Sequence, residues 1–221
     1  MNVLIIAPHP DDEVLGCGGV IARHCQTGDD VTVLVMTKGT PRIWTKEQVS
    51  AGRGEARKAH ALLGVKETIF FDYLAPELEQ PLLSEISVAI NQVLSKKRIV
   101  LLYIPHRGDI HNDHRVVFNT ALVAARPVGD YSVRKILAYE TLSETEWAPP
   151  FGDDAFIPNE FVNIEEQLEL KKKAMACYAS QLKAFPNPRS LECIEHLARF
   201  RGATVGLGAA ESFMVIRNIV S

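Results

Sequence analysis

Two short clusters in this chain of 221 residues gather the side chains that bind metals and move protons. The first, Pro8-His9-Pro10-Asp11-Asp12-Glu13, holds a histidine and three carboxylates; the second, His111-Asn112-Asp113-His114, holds two histidines and a carboxylate. Catalytic zinc sites use three protein ligands and keep a fourth position open for water or substrate. His9 and Asp12, three apart in a tight turn, can supply two ligands, and either His111 or His114 can supply the third. Asp11, beside a ligand, can act as general base toward a metal-bound water whose pKa the ion lowers. The remaining histidine can stabilise a developing oxyanion, and Asp113 can orient an imidazole. Together the clusters predict metal-assisted hydrolysis. A His, Asp, His donor set suits zinc first and also accommodates ferrous iron or cobalt. Each cluster alone has a plainer reading, as acids that cap a helix and complement its dipole. Their occurrence at two equivalent strand-to-helix junctions favours the metal.

Those junctions follow from the pattern of the chain. Short apolar runs at 3–7, 31–36, 68–71, 99–104 and 136–139 read as strands, and amphipathic stretches at 14–27, 48–63, 82–97 and 113–126 read as helices. Near-continuous apolar strands separated by helices predict a Rossmann-like α/β fold: a doubly wound, mostly parallel sheet with helices on both faces. Ligands bind such sheets at the carboxyl edge of the strands, where both clusters fall. No dinucleotide fingerprint follows the first strand, because Gly16-Cys17-Gly18-Gly19 lies inside the helix. From 141 to about 160 the chain is polar and Pro-rich, with Trp147 and Phe151 as candidates to stack on a sugar or to pack on the domain. A loop of that length is expected near the active site. A helix at about 164–182, another ending near 201 and a strand at 213–219 complete one domain over 1–221. Arg189, in a Pro-flanked turn, is a candidate for an anionic substrate group or for a surface ion pair.

Composition narrows the partners. Lys and Arg number 24 against 27 Asp and Glu, a net charge of -3, so no basic field invites nucleic acid. The run at 3–7 is too short to span a bilayer and nothing resembles a signal peptide, so no membrane partner is expected. Cys17, Cys25, Cys177 and Cys193 form no C-x-x-C pair, which suggests reduced thiols and a cytoplasmic protein. Cys17 reads as a packing residue. His24, His60, His106 and His196 lack metal-binding company, and His24 and His60 read as surface or partly buried helix residues.

The first cluster resembles the A-H-P-D-D-E signature of the PIG-L/LmbE-like zinc-dependent N-deacetylases, here Ala7-Pro8-His9-Pro10-Asp11-Asp12-Glu13 with one extra proline. His111-Asn112-Asp113-His114 resembles the family's H-P-D-H, with asparagine for proline. Arg53-Gly54-Glu55, Tyr139-Glu140, Tyr178-Ala179-Ser180-Gln181 and Ala210-Glu211-Ser212-Phe213 resemble its further motifs in order. The resemblance implies that His9, Asp12 and His114 bind zinc and that Asp11 is the general base. It also implies that His111, held by Asp113, supports the tetrahedral intermediate or protonates the leaving amine. Arg53 would contact the sugar or its attached group; Glu140 either reaches the cleft as a substrate contact or pairs with an arginine. The activity implied is removal of the N-acetyl group from a small, soluble N-acetylglucosamine-type conjugate. Family members often form symmetric assemblies, which leaves a homo-oligomer open. The rival readings are a metal-dependent hydrolase of another amide or ester of a sugar conjugate, and a non-catalytic sugar- or metal-binding module.

Overall fold

The computed structural model describes residues 1–128 and 132–220; residues 129–131 and 221, inside the span expected as one domain, lie outside the described residues. Seven strands form one sheet: β1 (Asn2–Ala7), β2 (Asp30–Gly39), β3 (Glu67–Ala75), β4 (Leu101–Pro105), β5 (Lys135–Tyr139), β6 (Glu160–Asn163) and β7 (Ala210–Asn218). Their order is β3-β2-β1-β4-β5-β7-β6. The first five are parallel, while β7 runs antiparallel to β5 and β6 antiparallel to β7. The described helices are α1 (Asp12–Gln26), α2 (Lys46–Leu63), α3 (Leu83–Lys97), α4 (Asn112–Ala124), α5 (Leu168–Ala176) and α6 (Leu191–Ala203).

Alternation along β1 divides the core. Val3, Ile5 and Ala7 pack with α1, α2, α5 and α6; Leu4 and Ile6 pack with α3 and α4. Both faces of the strand are therefore covered, which is why its sequence is continuously apolar. The glycines of α1 serve this packing: a Cβ on Gly16 would lie 2.2 Å from Tyr139 Cδ2, and one on Gly19 2.7 Å from Ile164. They let the helix lie close to β5 and to the residue that follows β6.

The sheet also sets the position of the site. Val3 of β1 pairs with Val31 of β2 on one side and Leu101 of β4 on the other. The winding reverses between β1 and β4, so the loops leaving their carboxyl ends part there and open a crevice. His9–Glu13 leave β1 at that point, and His106–His114 leave β4.

Two expectations are corrected. The polar stretch after 141 ends in a strand, since β6 begins at Glu160, and it contains a 3₁₀ turn at Gly152–Asp154. Four residues closing a polar loop carry too little periodicity to be read as a strand. The helix expected over 164–182 is confined to Leu168–Ala176; beyond it Gln181 and Leu182 amides donate to the Tyr178 carbonyl in turns. No described helix is long and apolar enough to cross a membrane.

Candidate active site

The chain leaves β1 through two prolines that stiffen it, and the Thr37 hydroxyl of β2 donates to the Pro8 carbonyl at 2.7 Å. The His9 amide donates to Asp12 Oδ2 at 2.8 Å, closing the turn that brings residues 9 and 12 together. Across the crevice, His114 lies in the first turn of α4. One ligand atom each from His9, Asp12 and His114 lie within 4.8 Å of one another. His9 Nδ1 is 3.2 Å and His114 Nε2 3.3 Å from Asp12 Oδ2.

The hydrogen bonding of these groups fits a cation. The far nitrogen of each imidazole meets a carboxylate: His9 Nε2 lies 2.9 Å from Asp113 Oδ2 and His114 Nδ1 2.8 Å from Asp109 Oδ2. Such partners orient metal-binding imidazoles and raise their basicity. Two of the near atoms, Asp12 Oδ1 and His114 Nε2, are buried and make no hydrogen bond among the described residues, the 3.3 Å approach of His114 Nε2 to Asp12 Oδ2 being an ion-pair contact only. Buried polar atoms are nearly always paired, so these orphans fit a ligand in the gap between them. Burial disfavours charge on all three groups, yet their mutual attraction wins. Asp12 is held well below the usual carboxylate range by His114 and His9, and His114 well above its ordinary value by Asp12 and Asp109. Against the same burial, Asp113 and Asp12 raise His9 to about 9. A second grouping, His9, His111 and Asp113, is as compact. There, however, the Asp113 carboxylate is occupied by His9 and by the Leu78 amide, and His111 Nδ1 by the Asp113 amide at 3.1 Å.

Asp11 sits beside this cluster with φ 110 and ψ -28, a left-handed conformation rare for a residue with a side chain. Such backbone costs about 1–3 kcal/mol and gathers at functional sites. Asp11 is the N-cap of α1, but its side chain makes no capping hydrogen bond. Its Oδ2 instead accepts from Arg189 Nη1 at 2.9 Å. Burial raises the Asp11 carboxyl to about 8, with Arg189 opposing that rise. His111 is the N-cap of α4, its Nδ1 accepting the Asp113 amide, so the neutral ring carries its proton on Nε2. Burial and the neighbouring His9 lower His111 to about 4, leaving it a neutral donor at ordinary pH.

These groups open onto a cavity of about 430 Å³ lined by His9, Asp11, His111, Arg53, Trp44 and Arg189, among others. That volume lies within the range of small-molecule sites. Arg53 reaches the cavity while donating to the Phe71 carbonyl at 2.6 Å and to Asp72 at 2.8 Å. Two motifs interlock at its rim: Ser180 donates through amide and hydroxyl to Glu55, and Gln181 Oε1 accepts from Arg189. From the long loop, Glu144 lines the cavity and the Ser143 hydroxyl accepts from Arg189 Nε at 2.7 Å.

Several expected roles shift. Asp113 lies 3.9 Å from His111 Nδ1 and bonds His9 instead, because the α4 turn presents its amide, not its carboxylate, to His111. Glu140 is absent from the cavity lining; Arg201 binds it through two nitrogens and Ser212 donates to it. Arg189 is engaged with Asp11 rather than standing free for a substrate anion. Trp147 and Phe151 are exposed and do not line the cavity. His60 is buried and bonds Glu13. Asp109, the carboxylate behind His114, carried no expectation although it lies five residues before it; a buried acid in a strand-exit turn next to a candidate ligand was the available signal.

Residues 4–125 match the family model described as PIG-L: GlcNAc-PI de-N-acetylase. A relative in Escherichia coli (strain K12), described as uncharacterized deacetylase YaiS, is 31% identical over 170 residues, 75% of this chain and 83% of that protein. The diacetylchitobiose deacetylase of Thermococcus kodakarensis is 30% identical over 81% of this chain and 70% of its own length. The structure of N,N'-diacetylchitobiose deacetylase from Pyrococcus horikoshii superposes with a TM-score of 0.79 at 25% identity, covering 97% of this chain and 83% of that one. The matched span contains both clusters and the crevice between β1 and β4. The chain belongs to the PIG-L (GlcNAc-PI de-N-acetylase) family.

Proposed function

We propose that this chain is a zinc-dependent hydrolase that removes the N-acetyl group from a small N-acetylglucosamine-type conjugate. The observation that carries the reading is the pair of orphaned, buried ligand atoms, Asp12 Oδ1 and His114 Nε2, next to a buried carboxylate on the cavity wall. The deacetylases among the relatives support the choice of amide. His9 through Nδ1, Asp12, and His114 through Nε2 would hold the ion; ferrous iron and cobalt suit the same donors. When bound, zinc polarises the acetyl carbonyl and lowers the pKa of water.

The protein's own groups do the rest. Asp11 takes a proton from the attacking water as its oxygen bonds to the carbonyl carbon. His111, neutral and protonated on Nε2, donates a hydrogen bond to the carbonyl oxygen as negative charge develops there. When the C–N bond breaks, Asp11 returns its proton to the departing nitrogen, and the products are acetate and a free amine. A carboxyl raised by burial suits both halves of that exchange. Arg189 holds the Asp11 side chain in place as it takes up and returns the proton. Arg53 and Trp44 line the wall available to the sugar and its attached group.

An acetate-release screen over N-acetylglucosamine conjugates, with O-acyl sugars alongside, tests the reading. Zinc-loaded protein is expected to release acetate from N-acetylated substrates. Release only from O-acyl sugars would replace the amide with an ester, and no release from either would remove the enzyme reading.

A further inference from the structure

Glu13 is the one acid of the first cluster without a part in the chemistry above, and it is fully buried. Its Oε1 accepts from His60 Nε2 at 3.0 Å and from the Tyr178 hydroxyl, while its Oε2 accepts from the Asp11 amide at 3.2 Å. His60, 1% exposed, is anchored on its other side, with Nδ1 2.8 Å from Thr68 Oγ1. Groups from α2 and from the turn after α5 thus converge on one carboxylate, with β3 anchoring the α2 histidine through Thr68, and the other oxygen of that carboxylate holds the main chain of Asp11. The first amides of a helix have no partner within it. Among the described residues, the Asp11 amide donates to Glu13 and to no other group. Asp11 is also the residue of this turn whose backbone adopts the left-handed conformation.

We propose that Glu13, braced by His60 and Tyr178, is a positioning residue: it pins the Asp11 amide and so holds Asp11 in the left-handed conformation from which its carboxylate reaches Arg189 and the cavity. The inference rests on Asp11 being the general base. The same network viewed as fold stability alone would lower melting temperature and act independently of Asp11, and a double-mutant cycle separates the two. Glu13→Gln offers an acceptor to only one side, so either the Asp11 amide or the His60–Tyr178 pair loses its partner.

The expected result is a kcat lowered about 10- to 100-fold, the scale of a misplaced catalytic group, with KM and zinc stoichiometry unchanged. In an Asp11→Ala background the same substitution should change the residual rate less than about twofold, since its effect passes through Asp11. Tyr178→Phe, which removes one brace and keeps the ring, should move kcat in the same direction by less. An unchanged kcat, loss of zinc, or an equal loss in both backgrounds would overturn the proposal. A crystal structure of Glu13→Ala decides it without any turnover. Asp11 is expected to leave the left-handed region and its contact with Arg189; a residue still at φ near 110 with that contact intact would overturn it. If the wild-type chain released no acetate, the deacetylase reading would fail while this structural result still decided the role of Glu13.

Discussion

Two of the buried polar clusters that meet α1 differ in one respect. Lys171 and Glu211 form a closed set: the ammonium donates to the Leu15 carbonyl and to Glu211, whose two oxygens also accept the Gly19 and Val20 amides. Every group has a partner, and α5, β7 and the middle of α1 are pinned together. His9, Asp12 and His114, a few residues away at the start of α1, form an open set with two orphaned atoms. A closed set stabilises a fold; an open one stores binding capacity for something absent from the chain.

Each set can be removed on its own. His114→Ala should abolish zinc retention and bring acetate release to background, while the apo fold persists by circular dichroism. Lys171→Met should do the reverse, keeping one zinc per chain but losing about 3–5 kcal/mol of stability in urea titration, because Glu211 is left buried without its cation. Equal effects of the two changes on metal content would erase the distinction. Asp109→Asn removes the carboxylate behind His114 and should weaken zinc affinity about 10- to 100-fold by competition with a chelator. The smallest effect belongs to Arg189→Gln. A cation beside Asp11 lowers its pKa, so its removal raises it by about one unit. Because the base must be ionised, the acidic limb of kcat/KM should move to higher pH by that amount. The ion is present in both proteins and leaves the sign of the difference unchanged.

What could be read from sequence follows from how far apart the interacting residues lie. β1 to β5 and α1 to α4 were legible because buried parallel strands are continuously apolar and their helices are long. The candidate ligands could be proposed because His9 with Asp12, and His111 with His114, are each three residues apart; spacing left the choice between the two histidines open, and the family resemblance pointed to His114. The network around Asp11 was not legible: His60 meets Glu13 across 47 residues and Tyr178 meets it across 165. Nothing in the local pattern of α2 distinguishes a buried histidine that bonds a carboxylate from one on a wet face. For Glu140 the sequence left two readings open, the cleft or an arginine partner; the second holds, with Arg201 of α6 as the partner that only the tertiary fold brings near. Arg189 was read as a substrate contact or a surface ion pair, and its partner could not be named because Asp11 lies 178 residues away.

On the proposed mechanism Asp11 moves the proton at a site whose metal would be held by other residues. The most direct test is acetate release from an N-acetylglucosamine conjugate by zinc-loaded Asp11→Ala, with metal content measured on the same sample. Full zinc stoichiometry with a rate lowered about 100- to 10,000-fold, the usual contribution of a positioned base, is the predicted result. A zinc-bound variant that turns over at the wild-type rate would contradict it.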